Sequence, residues 1–317
     1  MQDSYPSREE FLQMGYEQVA KIVARVGSPK IVMIVPDNIR RTGIVYWGLN
    51  PDDETFEEKV FERLSKPYMR ILETVFQCGV KCILAPSLTH GNLNRHERYV
   101  KEHLRLATYW IFRGGDWLSF YDRMGVRVKV YGDLGYFGRI AESFGYGEAV
   151  EWCRQVEEDT VNNDKCLLLW GVACSGSHET ERLVKMGIEF NRCQGREPSR
   201  EELIKLYYGE DLDYIDIFIR PGEIRDSDCQ PPLIGGKSEM YFPVVPLTEL
   251  KDDFFRWILY DYFFCRLKTY SMKQYRETSG DRDQIKVVRR HYLKNRDTIL
   301  GIGERVGDFW IPLINAR

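Results

Sequence analysis

KIVMIVPDNIRRTG, residues 30–43, is the stretch from which the fold can be read. Its first half, Lys30 to Val35, is apolar and rich in β-branched residues and is closed by Pro36, which reads as a short buried strand. An unbroken apolar run of this kind suits a strand covered on both faces. A charged segment, Asp37-Asn38-Ile39-Arg40-Arg41, follows at once. If the strand belongs to a parallel sheet, that segment stands at its carboxyl end, where ligands bind in such folds.

The same alternation recurs outward in both directions. Further strands are expected at Lys81–Ala85, Val126–Tyr131, Lys165–Val172, Ile215–Ile219 and Met240–Val245. A capping box, Ser7-Arg8-Glu9-Glu10, opens a helix to about Val26, and a second, Ser199-Arg200-Glu201-Glu202, opens another. Phe56, Val60, Leu64, Ile71, Val75 and Phe76 recur at helical spacing, with Pro67 expected to kink their helix. Helices are also predicted around His96 to His103, over Trp117–Met124 and Tyr146–Glu158, from Ser177, and over a long aromatic stretch, Leu247–Cys265. A basic helix is predicted near Asp283–Lys294, and Ile299–Ile302 and Phe309–Leu313 read as additional edge strands. Strand then helix, six times over, gives an α/β fold with a central, mostly parallel sheet of about six strands flanked by helices. Residues 1–266 read as one domain and 267–317 as a C-terminal helical appendage packed on it.

Composition narrows the function. The 317 residues carry a net charge of −3, which argues against a nucleic-acid binder that relies on counterion release. Apolar residues at 43% and charged residues at 29% describe a globular chain, and 13% aromatics suggest aromatic walls to any cavity. Eight cysteines without a CxxC pair read as reduced thiols of a cytoplasmic protein. The N-terminus lacks the charge and apolar pattern of a signal peptide, and no apolar run approaches the ~18–20 residues of a membrane span.

Three segments at strand ends could hold anions. The first is Asp37 to Gly43, where an acid and two arginines suit a phosphate and its metal. The second is Thr89-His90-Gly91-Asn92-Leu93-Asn94-Arg95-His96. The third is Arg220-Pro221-Gly222-Glu223-Ile224-Arg225-Asp226-Ser227, followed later by Glu239 before the sixth strand. A surface turn with a local ion pair is the plainer reading of any one of them; together they point to a polyanionic ligand. GxxxxGK[ST], GxGxxG and GxSxG patterns are absent at the places their chemistry needs. His90, His96 and His103 lack a thiolate or carboxylate to complete a tetrahedral metal set at usual spacing.

Taken together, these segments resemble the cis-prenyltransferases, which include undecaprenyl diphosphate synthases. Val35-Pro36-Asp37-Asn38-Ile39-Arg40-Arg41 is similar to that family's Asp-Gly-Asn-x-Arg loop, with its aspartate on Asp37 and its arginine on Arg41. Asn92-Leu93-Asn94-Arg95 resembles its Glu-Asn-Trp-x-Arg stretch, and Arg220 to Ser227 matches Arg-x-Gly-Glu-x-Arg-x-Ser at every spacing. Glu239-Met240-Tyr241-Phe242 resembles its Glu-Leu-Tyr-Phe. The resemblance implies catalytic roles for Asp37, Arg41, Asn92 and Arg95. It implies diphosphate binding by Asn38, Arg40, Arg41, Arg220, Arg225 and Ser227, and Mg²⁺ held by Asp37 and Glu239. It also implies an isoprenoid diphosphate substrate and a homodimer.

Ile39 and Thr42 stand where condensing members have asparagine and tryptophan, which argues against ordinary chain elongation. A narrower resemblance, to the tuberculosinol synthase and tuberculosinyl-adenosine transferase branch with its kolavelool synthase-like diterpene synthases, rests on several stretches. These are Tyr207-Tyr208-Gly209-Glu210, Ile258 to Tyr262, Gly301-Ile302-Gly303 and Phe309-Trp310. It implies ionisation of a bicyclic C20 diphosphate and capture of the cation by water or another nucleophile. Tyr46, Trp47 and Phe56 are candidate cation walls, with core packing as their alternative. The intact Arg220, Arg225, Ser227 and Glu239 keep open a condensing enzyme that joins isopentenyl or dimethylallyl diphosphate, cis or head-to-middle. A non-catalytic partner subunit is a third reading, against which Asp37 stands.

Overall fold

The computed structural model describes residues 6–37, 39–266, 282–296, 298–307 and 309–313. In chain order it contains α1 (Arg8–Gln13), α2 (Tyr16–Val26), β1 (Ile31–Ile34), α3 (Ile39–Val45), α4 (Phe56–Gln77), β2 (Cys82–Thr89), α5 (His90–Leu93) and α6 (Glu97–Glu102). A wider π turn, His103–Thr108, leads into α7 (Tyr109–Arg113) and α8 (Gly115–Met124). Then come β3 (Val126–Gly132), α9 (Leu134–Ser143), α10 (Ala149–Asp159), β4 (Cys166–Cys174), α11 (Gly176–Gln194), α12 (Arg200–Tyr208), β5 (Ile217–Ile219) and β6 (Glu239–Tyr241). A short 3₁₀ turn precedes α13 (Phe254–Tyr260), and a π turn, Asp261–Cys265, follows it. Beyond residue 281 lie α14 (Arg282–Lys294), β7 (Gly303–Val306) and β8 (Phe309–Pro312).

The six strands β1–β6 form one sheet in the order β3-β4-β2-β1-β5-β6, every neighbouring pair parallel, as the strand–helix alternation predicts. All four residues of β1 are buried. Because side chains alternate across a strand, Val32 and Ile34 enter the large core under α2, α4 and α13. Ile31, Met33 and Val35 enter the smaller core on the other face, with Ile204 and Tyr208 of α12. The charged segments after β1, β2 and β5 therefore emerge on one rim of the sheet.

Several expectations shift. The first helix breaks in two because Met14 is extended and Gly15 starts a new helix, its N–H held by the Gln18 side chain. Helix α4 runs unbroken through Pro67. A helix that hydropathy missed, α9, is capped by Asp133, whose Oδ1 accepts from the Tyr136 N–H at 2.9 Å. The sixth strand is only Glu239–Tyr241, since Pro243 has no N–H to continue the ladder. The long aromatic helix is reduced to α13 and its flanking turns, with Phe254 and Phe255 buried. Of the two C-terminal apolar runs, Ile299–Ile302 is not a strand and Phe309–Leu313 is not an edge strand of the sheet. β7 and β8 pair with each other, antiparallel, from Gly303↔Pro312 to Val306↔Phe309. A Cβ at Gly303 would stand 2.3 Å from the Trp310 ring, so glycine there lets the indole lie flat on the hairpin.

Candidate active site

A cavity of about 580 Å³ opens at the carboxyl rim of β1, β2 and β5. Asp37, Arg40, Arg41, Asn92, Arg95, Arg220, Arg225 and Ser227 all line it. Three segments far apart in the sequence, around Asp37–Arg41, Asn92–Arg95 and Arg220–Ser227, thus meet at one place. Asn38 lies outside the described residues. The close packing of α3 on α4 sets the first wall: a Cβ at Gly43 would stand 2.6 Å from Val60 Cγ2, so a larger residue would push Arg40 and Arg41 outward.

Tyr99 organises the second wall and was not singled out by sequence motif. Its ring is buried, and the Arg40 and Arg95 guanidinium carbons lie 5.4 and 4.9 Å from its centroid. Its hydroxyl accepts from the Asn92 side chain at 2.9 Å. Asn92 Oδ1 in turn accepts from the Thr89 N–H and hydroxyl, which closes the cap of α5. Asn92 is therefore tied into the scaffold and fixes the ring on which the arginines rest. Among the described residues, neither Arg40 nor Arg95 has a carboxylate within ion-pair distance. Burial, and then the charge of Arg95, push the Arg40 guanidinium below its ordinary pKa. Two cations held together with no counterion make a place for an anion.

The third wall is already partly neutralised. Arg220 is 5% exposed, and its Nε donates to Asp37 Oδ2 at 2.9 Å. Its other nitrogens bond Asp37 again and the carbonyls of Arg225 and Asp226. Arg220 thus shapes the loop and holds Asp37, and has little donor capacity left for a ligand. Glu223 accepts from Arg41 at 3.4 Å and from Arg225 at 3.1 Å. Ser227 Oγ accepts from the Cys229 N–H at 3.1 Å and remains on the cavity wall.

Glu239 is not part of this cavity. It opens β6 opposite Ile217, while Asp37 follows the other end of β1, so several residues at ~3.3 Å each separate them along the strand direction. Its carboxylate pairs with Arg266, which also bonds Asp261. The proposed Asp37–Glu239 metal pair is therefore not assembled within one chain. Among the described residues, no three His, Cys, Asp or Glu side chains converge on a metal position. Mg²⁺ needs less: one or two carboxylates, waters and phosphate oxygens suffice. Asp37, 30% exposed, with Asp226 and Asp228 on the same walls, fits that donor set.

The histidines fall elsewhere. His103 is buried, its pKa pushed down to about 4 by burial, with Nε2 3.1 Å from the Ser87 carbonyl oxygen. His96 caps α6, and His90 stacks on His178 at 3.7 Å between centroids. Of the candidate cation walls, Phe56 is buried under Gly43 and Trp47 lies beneath Arg63, while Tyr46 is 49% exposed beside a second, apolar cavity.

This is the fold of the cis-prenyltransferases. A probable undecaprenyl diphosphate synthase from Campylobacter jejuni superposes with a TM-score of 0.57 at 18% identity, over 77% of this chain and 99% of its own. Lavandulyl diphosphate synthase from Lavandula x intermedia, in complex with dimethylallyl diphosphate, gives 0.57 at 14% identity, over 76% and 97%. By sequence, the chain is 30% identical to tuberculosinyl adenosine transferase of Mycobacterium tuberculosis over 298 residues, 94% of this chain and 95% of that protein. It is 25% identical to (+)-kolavelool synthase of Herpetosiphon aurantiacus over 245 residues, 77% of each. No protein-family model matches. The chain belongs to the family of the tuberculosinyl adenosine transferase.

Proposed function

We propose that this protein is a diterpene synthase. It binds a C20 allylic diphosphate, a bicyclic one on the analogy of its relatives, by the diphosphate, cleaves the allylic C–O bond, and lets water or another nucleophile capture the cation. The observation that carries this reading is the pair Arg40 and Arg95 on Tyr99 at a strand-end cavity, with no carboxylate within ion-pair distance of either among the described residues. When the C–O bond breaks, its electron pair goes to the diphosphate oxygen. Preorganised cations stabilise that developing charge without having to reorganise. When water is the nucleophile, its oxygen bonds to the carbocation and its proton passes to the diphosphate. Arg40, Arg41 and Arg95 hold the leaving group, Asn92 and Tyr99 keep Arg40 and Arg95 in place, and Arg220 keeps Asp37 on the wall. Mg²⁺, with Asp37 as its protein ligand, would add charge neutralisation to the bound diphosphate.

The relatives' names support this reading, one being a (+)-kolavelool synthase and the other a tuberculosinyl adenosine transferase. On the same reading the protein is cytoplasmic and homodimeric, with a catalytic domain over residues 1–266 and an appendage over 267–317. All eight cysteines are free thiols, and among the described residues no helix is long and apolar enough to cross a membrane. A condensing enzyme is the second reading. Arg225 and Ser227 on the wall of the same cavity favour it, since they offer a place for a second diphosphate.

Gas chromatography with mass spectrometry separates the two. The purified chain with Mg²⁺ receives geranylgeranyl diphosphate or bicyclic C20 diphosphates, with and without isopentenyl diphosphate. A C20 alcohol, or a nucleoside adduct when adenosine is supplied, is expected without the second substrate. A longer or branched diphosphate formed only with it would replace the synthase by the condensing enzyme.

A further inference from the structure

We infer that α14 is a surface-binding helix by which this protein docks on a bilayer rich in anionic lipid. Helix α14 has 13 residues, Arg282–Lys294. At about 100° per residue, Ile285, Val288 and Tyr292 form one stripe along it, and Arg282, Lys286, Arg289 and Arg290 form the neighbouring one. The apolar stripe is uncovered, with Ile285, Val288 and Tyr292 43%, 49% and 69% exposed. Ile299 and Leu300, just past the helix, are exposed as well. A single exposed apolar residue is ordinary, but a run of them beside a charged stripe marks an interaction surface.

Charge selects the occupant. Residues 282–296 hold six lysines and arginines and one aspartate, in a chain whose net charge is −3. Lys286 pairs with Asp283 at 2.9 Å, while among the described residues Arg289 and Arg290 have no carboxylate within ion-pair distance. A second copy of the chain carries the same cations, so pairing α14 with itself across a two-fold axis would set like charges together. An anionic bilayer complements both stripes, with phosphates for the arginines and the acyl boundary for the apolar residues. Thirteen residues rise only about 20 Å, so the helix lies in the interface and does not cross a ~30 Å hydrocarbon core. Its place in the fold is near the arginine cavity. Gly301 lies against the loop that walls that cavity, since a Cβ there would stand 3.8 Å from Ile224 Cγ2. The chain from Lys294 to Gly301 spans at most about 25 Å, so docking through α14 holds this loop close to the lipid.

The test is flotation of the full chain with vesicles of phosphatidylcholine alone or mixed with phosphatidylglycerol, at low and high salt. The unaltered protein should bind the mixed vesicles at least about tenfold more tightly and lose that preference at high salt. Arg289→Gln combined with Arg290→Gln should weaken binding to the mixed vesicles about tenfold or more. Val288→Ala combined with Tyr292→Ala, which keeps a helix-forming residue at each position, should weaken it several-fold. Both double variants should melt with the parent and bind inorganic diphosphate as it does. A parent that floats equally with both vesicles, a preference that salt leaves intact, or either double variant binding the mixed vesicles unchanged would overturn the inference. Failure of the parent to bind inorganic diphosphate would instead remove the prenyl diphosphate reading and leave the lipid contact standing.

Discussion

Replacing Arg95 by methionine separates a binding cation from a structural one. Arg95 lies 4.9 Å from the Tyr99 centroid, and Arg40 lies 5.4 Å from the same point, so the two charges are at most about 10 Å apart. At that separation, like charges cost about 1–2 kcal/mol at an effective dielectric constant of ~20, and less once salt and the exposure of Arg95 are counted. Removing Arg95 forfeits a cation–π contact of roughly 0.5–1 kcal/mol and relieves a repulsion of similar size. Arg95→Met should therefore change unfolding stability by less than ~1 kcal/mol. Affinity for inorganic diphosphate should fall by about 10- to 150-fold, the value of roughly 1.5–3 kcal/mol for a charge-assisted hydrogen bond. The assay is urea unfolding beside calorimetric titration with diphosphate, both at low salt. A variant that loses more than ~2 kcal/mol of stability and binds diphosphate unchanged would show that Arg95 serves the fold.

Asp37→Ala leaves Arg220, 5% exposed, without its carboxylate and should cost about 2–3 kcal/mol in urea unfolding; a loss below ~1 kcal/mol would contradict the buried pairing. Glu179 is buried with Tyr208 donating at 2.5 Å, and burial raises its carboxyl to about 7. Between the ordinary value of 4.5 and about 7, the unfolded chain releases this proton while the folded chain keeps it, so stability falls as pH rises across that window, by about 3 kcal/mol in all. Glu179→Gln should accordingly be the more stable protein at pH 8 and nearly equal to the parent at pH 4, as read from melting curves at both values. Tyr121→Phe removes the hydroxyl that accepts from Trp170 Nε1 at 3.1 Å and donates to the Ile111 carbonyl oxygen at 2.8 Å. Two buried polar groups are then orphaned, and a loss of about 2 kcal/mol in chemical denaturation is expected.

The wording of local sequence carried a good deal of this protein. Unbroken apolar runs located the inner strands, because a strand buried on both faces has no polar alternation to keep, but Pro86 does not close β2, which runs on to Thr89. The capping boxes at Ser7 and Ser199 marked true helix starts, since both of their hydrogen bonds are local. The motif spacings named cavity residues on three segments, and Asp37, Arg40, Arg41, Asn92, Arg95, Arg220, Arg225 and Ser227 line one cavity. What each does there was less legible. Arg220 read as a ligand-binding arginine, yet its donors are taken by Asp37 and two carbonyls. Glu239 read as a metal ligand, yet the parallel register puts it at the far end of its strand beside Arg266.

Sequence alone determined the strand–helix alternation, the segments that carry charge and the family, because these depend on residues close together in the chain. Only the tertiary structure decided the strand order, the pairing of β7 with β8, the stacking of Arg40 and Arg95 on Tyr99, and the cavity between α3 and the hairpin. Each of these joins residues far apart in sequence. Which distant groups become neighbours is set by the packing of the whole core, and no local pattern encodes it.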